Sequence, residues 1–187
     1  MAISTAAPVS TIAATLDADV FETKFGWFGL LGREGTLLRV SIGDATPNNA
    51  LLHLANAENV AVSEMEVSDW YPVLREQLIA YAEGEPVEFC DVELSWPKPL
   101  TTFRRSVLSV TRRIRRGQTK TYAEIAAAAG SPGAARAVGT AMSSNRFPIV
   151  IPCHRVVGSG GGLGGFTSPQ GTNLKQRMLN LEAGIDD

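Results

Sequence analysis

The stretch Ile149–Phe166, with the sequence IVIPCHRVVGSGGGLGGF, places a cysteine directly beside a histidine. The 187-residue chain has only two cysteines and two histidines. A cysteine becomes a strong nucleophile when a neighbouring base or positive charge lowers the pKa of its thiol. Cys153 is followed by His154 and Arg155, which are residues of that kind. A buried cysteine beside an unrelated histidine would give the same pair, so the surrounding sequence has to decide.

The composition is that of a globular protein, with 44% hydrophobic and 19% charged residues. No apolar run approaches the length of a membrane span, and the first twenty residues lack the basic start of a signal peptide. Two cysteines are too few for a disulfide framework, although they leave one disulfide open. We therefore expect free thiols, no membrane contact and a cytoplasmic location, or a nuclear one in a eukaryote.

The two halves of the chain carry opposite charge. Residues 1–97 contain 4 Lys and Arg against 15 Asp and Glu, a balance of −11. Residues 98–187 contain 13 against 4, a balance of +9. The split predicts an acidic domain over 19–97 and a basic domain over 98–187, joined near SWPKPLTT, and we interpret residues 1–18 as a loose tail. A basic half indicates a polyanionic partner, unless the two halves simply attract each other.

The acidic half has the pattern of a mixed α and β unit. Residues 24–43 predict two strands on either side of a glycine turn, and residues 87–94 alternate like a further strand. One helix is expected to start at Thr46 or Asn48, and another to run from a Ser68 cap to Gly84. No chemistry is apparent in this half.

Its two potential metal ligands lie apart in the sequence. Cys90 is expected in the core and His53 on an apolar helix face, so no metal site is predicted.

The basic half begins with a helix and continues as a helix-turn-helix. Phe103, Val107, Val110 and Ile114 form one apolar stripe. The segment YAEIAAAAGSPGAARAVGTAMSSN then gives two short helices around a Gly-Ser-Pro turn, and in a basic domain this makes nucleic acid the leading partner. Either a solvated face or phosphate contact would explain the neighbouring arginines Arg112, Arg113, Arg115 and Arg116.

The glycines near the end of the opening stretch match G-x-G-x-x-G at Gly160, Gly162 and Gly165. A dinucleotide-binding fingerprint needs a strand before it and a helix directly after it, whereas Phe166 is followed by Thr-Ser-Pro. We therefore interpret the glycines as a tight turn or as an approach surface for a flat ligand.

The string PCHRVV at Pro152–Val157 resembles the active-site motif of the O6-alkylguanine-DNA alkyltransferases, also called methylated-DNA–protein-cysteine methyltransferases. The blocks GQTKTYAEIA, ARAVGTAM, SSNRFPIVIPCHRVV and LNLEAG resemble further landmarks of that family in the same order. The resemblance covers roughly residues 103–184 and is weak in the acidic half.

This resemblance implies an α/β plus mainly α fold, with an N-terminal ribonuclease-H-like domain and a C-terminal winged-helix-like DNA-binding domain. It also implies single-turnover repair, in which Cys153 accepts a methyl or other alkyl group from O6 of guanine, with O4 of thymine as a further target. The implied partner is double-stranded DNA, bound through its minor groove by a monomer. Neither a cofactor nor a metal is implied.

The resemblance also assigns roles to residues outside the Cys-His pair. Cys153 is the nucleophile, His154 takes its proton through a water, and Glu182 orients the histidine. Asn145 organises the hinge before the active-site loop, and Tyr122 hydrogen-bonds the departing guanine.

The DNA-contacting residues are assigned in the same way. Arg136 fills the gap left by the flipped nucleotide, and Met142 lies near the unstacked bases. Ala135 and Gly139 are small residues. They suit close approach of the helix to DNA, and they equally suit plain helix packing. The remaining pocket residues are Phe166, Val156 and Thr167. Many members of the family have a tyrosine in place of Phe166, so pocket polarity is open.

Three classes of function are compatible with parts of this sequence. Some relatives lack the cysteine and bind alkylated DNA without repairing it, and a helix-turn-helix regulator would also explain the charge split. A thiol hydrolase would explain the Cys-His pair but not the basic half. Because Cys153 is present together with Glu182, the sequence favours the alkyltransferase.

Overall fold

The computed structural model describes residues 15–96 and 98–185. Its first half forms a four-stranded sheet with the strand order β3-β2-β1-β4. The three long strands pair antiparallel, and β4 runs parallel to β1. The strands are β1 (Leu16–Thr23), β2 (Gly26–Arg33), β3 (Thr36–Asp44) and β4 (Met65–Val67).

The β2–β3 hairpin confirms the two strands predicted around the glycine turn. Its turn residues, Glu34 and Gly35, both have positive φ angles, of 51° and 75°. Gly32 is needed for a different reason, because a Cβ atom there would lie 2.2 Å from the Trp70 ring. The absence of a side chain at Gly32 lets Trp70 pack directly on the sheet.

Two helices complete the acidic half, α1 (Pro47–Glu58) and α2 (Pro72–Ala82). Thr46 caps α1 as predicted, because its hydroxyl accepts a hydrogen bond from the backbone N–H of Asn49. The Ser68 cap predicted for α2 is wrong. The N–H of Ser68 instead bonds to the sheet, at Ala18 O, and the helix starts later with a proline in its first turn.

Two further expectations for this half need correction. The segment over residues 87–94 is irregular and contributes only an isolated bridge, between Leu37 and Leu94. The loose tail predicted over 1–18 ends earlier, since β1 begins at Leu16 and lies inside the sheet; residues 1–14 of that tail fall outside the described residues. In the sequence, Asp17 and Asp19 obscure the alternation of apolar and polar residues that would indicate β1. In the structure, Asp19 is buried and accepts a hydrogen bond from Arg75.

The basic half is mainly helical, and its helix-turn-helix is confirmed. A short 3₁₀ turn over Cys153–Arg155 links it to a second, two-stranded parallel sheet. Ile114 is buried as predicted but lies just beyond the end of its helix. The elements are α3 (Thr102–Arg112), β5 (Lys120–Thr121), α4 (Tyr122–Ala128), α5 (Ala135–Ser143), β6 (Val156–Val157) and α6 (Thr172–Ala183).

One continuous hydrophobic core joins the two halves. It includes Phe28 and Leu74 from the acidic half and Val107, Ile125 and Met178 from the basic half. The opposite charges of the two halves suggested that they attract each other, but much of the contact between them is apolar packing.

Specific polar contacts also join the halves at the start of the active-site segment. The Val40 N–H donates to Arg146 O at 2.8 Å, and the Arg146 guanidinium pairs with Glu58 on α1. Within the described ranges, no helix is long and apolar enough to cross a membrane.

Candidate active site

Cys153 opens the 3₁₀ turn and lies in the wall of a cavity of about 700 Å³ between that turn, α5 and the glycine loop. The cysteine is only 7% exposed. Eight of the residues singled out from the sequence line this cavity, namely Cys153, Tyr122, Arg136, Met142, Ala135, Gly139, Phe166 and Thr167. The other four, His154, Glu182, Asn145 and Val156, are not among its lining residues.

Asn145 lies near the start of the segment that joins α5 to Cys153. Its side-chain amide donates to Ile151 O at 2.9 Å, and its side-chain oxygen accepts from the Phe147 N–H at 3.1 Å. The Cys153 N–H then donates to the same Ile151 carbonyl at 2.7 Å. Ile149, in the middle of the segment, has a φ of 71°, which is costly for a β-branched residue. The Asn145 contacts help to hold this strained backbone in place.

A buried carboxylate network lies behind the cysteine. Glu182 Oε1 is 2.8 Å from His154 Nε2 and 2.9 Å from Arg155 Nη2, and it also accepts from the Tyr81 hydroxyl at 2.8 Å. Glu182 Oε2 accepts from Arg155 Nε at 2.9 Å and from the Gly117 N–H at 3.2 Å. Burial alone would raise the pKa of Glu182, but the hydrogen bonds and charges of His154 and Arg155 outweigh it and hold that pKa well below its usual range.

The network fixes which nitrogen of His154 is basic. A carboxylate can only accept hydrogen bonds, so Nε2 carries the hydrogen that points at Glu182. Nδ1 therefore has the free lone pair, and no protein group among the described residues bonds to it. Burial lowers the pKa of this fully buried imidazole and Glu182 opposes the shift, so the resting histidine is neutral.

Burial raises the pKa of the Cys153 thiol above its ordinary value. A hydrogen bond from Asn145 and the charge of Lys175 act in the opposite direction but do not outweigh burial. The sequence had predicted a depressed thiol pKa from the neighbouring base, and this prediction is wrong, because it ignored the loss of water around the sulfur. The resting form of Cys153 is therefore the thiol, and a nucleophilic role for its sulfur calls for a base that takes the proton.

The glycine loop shapes the opposite wall of the cavity. Gly164 has a φ of +68°, and a Cβ atom there would lie 2.5 Å from the Tyr122 hydroxyl oxygen. Burial raises the pKa of Tyr122, and the nearby Cys153 raises it further. Thr167 ties the loop to α5, because its hydroxyl donates to Ser143 O at 3.0 Å. No helix follows the glycines directly, which supports the interpretation of this run as a loop.

Helix α5 presents an open face at the mouth of the cavity. Arg136 is exposed there, and a Cβ atom on Gly139 would meet nothing within 4 Å. Plain helix packing therefore does not explain the glycine at 139. Met142 is only 7% exposed and contacts the Thr111 hydroxyl from the inner side of the helix.

Two of the four clustered arginines bind the protein itself. Arg112 donates to the carbonyls of Phe89, Cys90 and Val92 at 2.7, 3.1 and 2.8 Å. Arg116 donates to the carbonyl oxygens of residues 84, 85 and 181. These contacts argue against a phosphate role for both residues, whereas Arg113 and Arg115 are exposed.

The described ranges contain no cluster of three or more residues able to hold a metal ion. Cys90 is exposed and not in the core as expected, since the segment around it forms no strand. His53 is also exposed, and its Nδ1 pairs with the buried Asp44 carboxylate.

Comparisons with known proteins agree with this geometry. The family model for the DNA-binding domain of 6-O-methylguanine DNA methyltransferase matches residues 102–184. A methylated-DNA–protein-cysteine methyltransferase from Methanosarcina acetivorans is 42% identical over 120 residues, which is 64% of this chain and 74% of the relative. The chain belongs to the methylated-DNA–protein-cysteine methyltransferase family.

Further relatives of this family extend the likeness. The methyltransferase from Mycolicibacterium paratuberculosis is 47% identical over 107 residues, covering 57% of this chain and 62% of the relative. The crystal structure of Mycobacterium tuberculosis OGT in complex with DNA matches with a TM-score of 0.72 at 32% identity, over 90% of this chain and 93% of that one. The likeness in fold thus reaches well beyond the family-model match into the acidic half.

Three site residues of this family member were missed by reasoning from the sequence. Tyr81 lies in the helix predicted up to Gly84 but was given no role, Arg155 was assigned only to a positive neighbourhood, and Lys175 was given no role. Lys175 is fully buried, and its ammonium group donates to the carbonyls of Val156 and Leu163. Burial lowers the pKa of Lys175 to about 8. A lysine on an otherwise apolar helix face, as in NLKQRMLNL, was the available signal.

Proposed function

We propose that this chain repairs alkylated DNA by moving a methyl or other alkyl group from O6 of guanine, or O4 of thymine, to Cys153. The observation that carries the proposal is the cavity that joins the Cys153 wall to the open face of α5. A nucleophile beside a DNA-binding helix is the arrangement that an enzyme acting on a flipped base requires. Membership of the family supports the same reaction.

The reaction balances without a cofactor. The Cys153 sulfur forms a bond to the alkyl carbon while the bond from that carbon to O6 breaks, and the electron pair goes to the guanine. The guanine then takes up a proton, so the proton lost by the thiol in effect replaces the alkyl group. The product is a thioether, which has no easy leaving group, so each chain should react once.

We assign proton removal to the buried network behind the cysteine. His154 Nδ1 accepts the thiol proton, directly or through a water, and Glu182 stabilises the resulting imidazolium. Asn145 and Lys175 help to stabilise the sulfur as it loses its proton. The Tyr122 hydroxyl is suited to donating a hydrogen bond to the departing guanine.

We assign DNA binding to α5 and the loops beside it. The guanine leaves the duplex for the cavity, and Arg136, exposed at its mouth, fills the resulting gap. The small residues Ala135 and Gly139 allow the helix to approach the minor groove closely, and Met142 lines the cavity from the inner side of the helix, near the unstacked bases. Phe166 and Thr167 line the pocket that would hold the base, whereas Val156 is fully buried and lies outside that lining.

We also propose a fold type for each half of the chain. The order β3-β2-β1-β4, with β4 parallel to β1, supports a ribonuclease-H-like unit up to residue 97. The α4–α5 pair beside the β5–β6 sheet supports a winged-helix-like unit from residue 98. We propose that the protein acts as a monomer, and we keep the cytoplasm as the predicted location because both cysteines are free thiols.

The test uses duplex DNA that carries a radiolabelled methyl group on O6 of guanine. We expect one labelled methyl per chain, located on Cys153 by peptide mass spectrometry. The Cys90→Ser variant is the matched control and should accept the label normally, whereas Cys153→Ser should not. Label on Cys90, or more than one methyl per chain, would contradict the proposal. A purely regulatory DNA-binding protein, or a thiol hydrolase, would acquire no label at all.

A further inference from the structure

The acidic half sends one polar side chain into the site of the basic half. Tyr81, near the end of α2, is fully buried, and its hydroxyl donates to Glu182 Oε1 at 2.8 Å. The same hydroxyl is 3.2 Å from His154 Nε2. The three polar groups thus form a closed triangle, of which two corners are the proposed acid–base pair of the reaction.

The ring of Tyr81 is held on several sides, so the position of its hydroxyl is well defined. It packs edge-on against Phe89 and His154, each at 6.2 Å between ring centroids. The Arg116 guanidinium lies 5.6 Å from the ring centroid. Such packing would hold an aromatic ring without any hydroxyl, so packing does not explain why the residue is a tyrosine.

We propose that Tyr81 is a positioning residue that sets how much of the Glu182 charge is available to His154. This inference rests on the proposed function, because it gives the acidic half a part in the proton transfer. The hydroxyl shares Oε1 with His154 Nε2–H and thereby takes up part of the negative charge of the carboxylate. The hydrogen bond from Tyr81 also keeps the Glu182 carboxylate from rotating so that Oε1 leaves His154.

The direction of the effect follows from that sharing. The charged and titratable groups around His154 are Glu182 and Lys175 on α6, Tyr81 on α2, Arg155 and Cys153 in its own turn, and Arg116 after α3. Among them, Glu182 is the group that favours the imidazolium. Removing the Tyr81 hydroxyl leaves more of the carboxylate charge to His154, which should then bind a proton more readily.

The test is the Tyr81→Phe variant, which keeps the ring and its packing. The rate of alkyl transfer from duplex DNA is measured against pH, since protonation of His154 should switch off its role as base. We expect the acid limb of the profile to move to higher pH by about one unit, the scale of one hydrogen bond to a charged group. At high pH the variant should approach the wild-type rate. The matched control is Tyr71→Phe, at the start of the same helix and half-buried against the same core.

A second measurement does not depend on alkyl transfer. In a Cys90→Ser background, the rate at which iodoacetamide modifies Cys153 is followed over the same pH range. The acid limb of this profile should shift in the same direction for Tyr81→Phe. If wild-type protein modifies with iodoacetamide but never accepts an alkyl group, the proposed function fails while the role of Tyr81 is still measured. An unmoved limb in both assays, with a lower rate at every pH, would overturn the inference and leave Tyr81 as a packing residue.

Discussion

The acidic and the basic half bury polar groups to different ends. Among its described residues, the acidic half buries two carboxylates, Asp19 beside the Arg75 guanidinium and Asp44 beside the His53 imidazole. The basic half buries His154 and Arg155 in the Glu182 network behind Cys153, and it buries Lys175 where its charge acts on the Cys153 thiol. Burying a charge costs free energy unless the charge is paired. Clusters of buried ionisable groups are therefore typical of functional sites. The acidic half enters that network through Tyr81.

The sharpest way to test this contrast is to remove a polar group from each half. The His154→Gln variant loses the nitrogen that we propose accepts the thiol proton. We expect alkyl transfer to slow by about 10²-fold or more, the scale of general-base catalysis. The matched variant His53→Gln, in the acidic half, should transfer at the wild-type rate. Equal rates for the two variants in a single-turnover assay would break the comparison.

A second test asks whether the open face of α5 serves base flipping or general DNA attraction. Arg136→Ala should slow repair of duplex DNA by about 10- to 100-fold if, as we propose, the arginine replaces stacking and pairing lost on extrusion. The reaction of the protein with free O6-alkylguanine is expected to be much slower, and because it needs no flipping, the substitution should hardly change its rate.

The control for this test is Arg115→Ala, since that arginine is exposed but does not line the cavity. The measurement is made at two salt concentrations. If Arg136 only contacts a phosphate, binding to all DNA sequences should weaken alike. The slope of the logarithm of the binding constant against the logarithm of the salt concentration should then fall in magnitude by about one. Equal losses on duplex and free base would instead indicate that Arg136 shapes the pocket.

The contact between the halves gives a third, smaller effect. Arg112 donates to three carbonyls of the acidic half, whereas its neighbour Arg113 is exposed. Arg112→Met should lower the free energy of unfolding by about 2 kcal/mol, in the range of hydrogen bonds to a charged group. Arg113→Met should change it by less than about 0.5 kcal/mol. Urea unfolding followed by circular dichroism measures both, and equal values would mean that the carbonyl contacts contribute nothing.

The dependence of stability on pH provides the smallest test. Burial lowers the pKa of His154, so below about pH 6.5 the unfolded chain binds a proton that the folded chain does not. The depressed pKa of Glu182 acts in the same direction below about pH 4.5, where the unfolded carboxylate protonates first. Stability should therefore fall on acidification, by at most about 1.4 kcal/mol per pH unit for each such group.

The same histidine variants check the assignment. His154→Gln should flatten the fall between about pH 6.5 and pH 5, because its side chain does not titrate. His53→Gln should keep most of it. Urea unfolding at half-unit steps of pH distinguishes the two, and an unchanged slope in His154→Gln would exclude the buried imidazole as the source.

Local patterns in the sequence were sufficient for the helix-turn-helix, the β2–β3 hairpin and the Thr46 cap, because each depends on residues close together in the chain. The cavity residues came from motifs, and eight of the twelve line one cavity. What failed depends on distant contacts. β1 was missed because Asp19 looks unfit for a buried position until Arg75 of α2 is placed beside it.

The chemistry behind the cysteine was hidden for the same reason. Tyr81 and Glu182 are 101 residues apart, and no local pattern links them. The pKa of Cys153 was predicted in the wrong direction, since burial is a property of the folded chain and not of the residues next to the thiol. Adjacent residues indicated the nucleophile, whereas its surroundings could be described only from the structure.

The arginine contacts to residues 84–92 also bear on how this protein can change over evolution. Arg112 and Arg116 bind main-chain oxygens there, and every amino acid supplies the same oxygen. Substitutions along this connection therefore leave the attachment intact as long as the backbone path and the two arginines are kept. The exposed positions of the segment can drift in sequence while its course in space stays fixed, so homologues should vary there, but not at Gly84 or the buried Phe89 and Val92, and still superimpose.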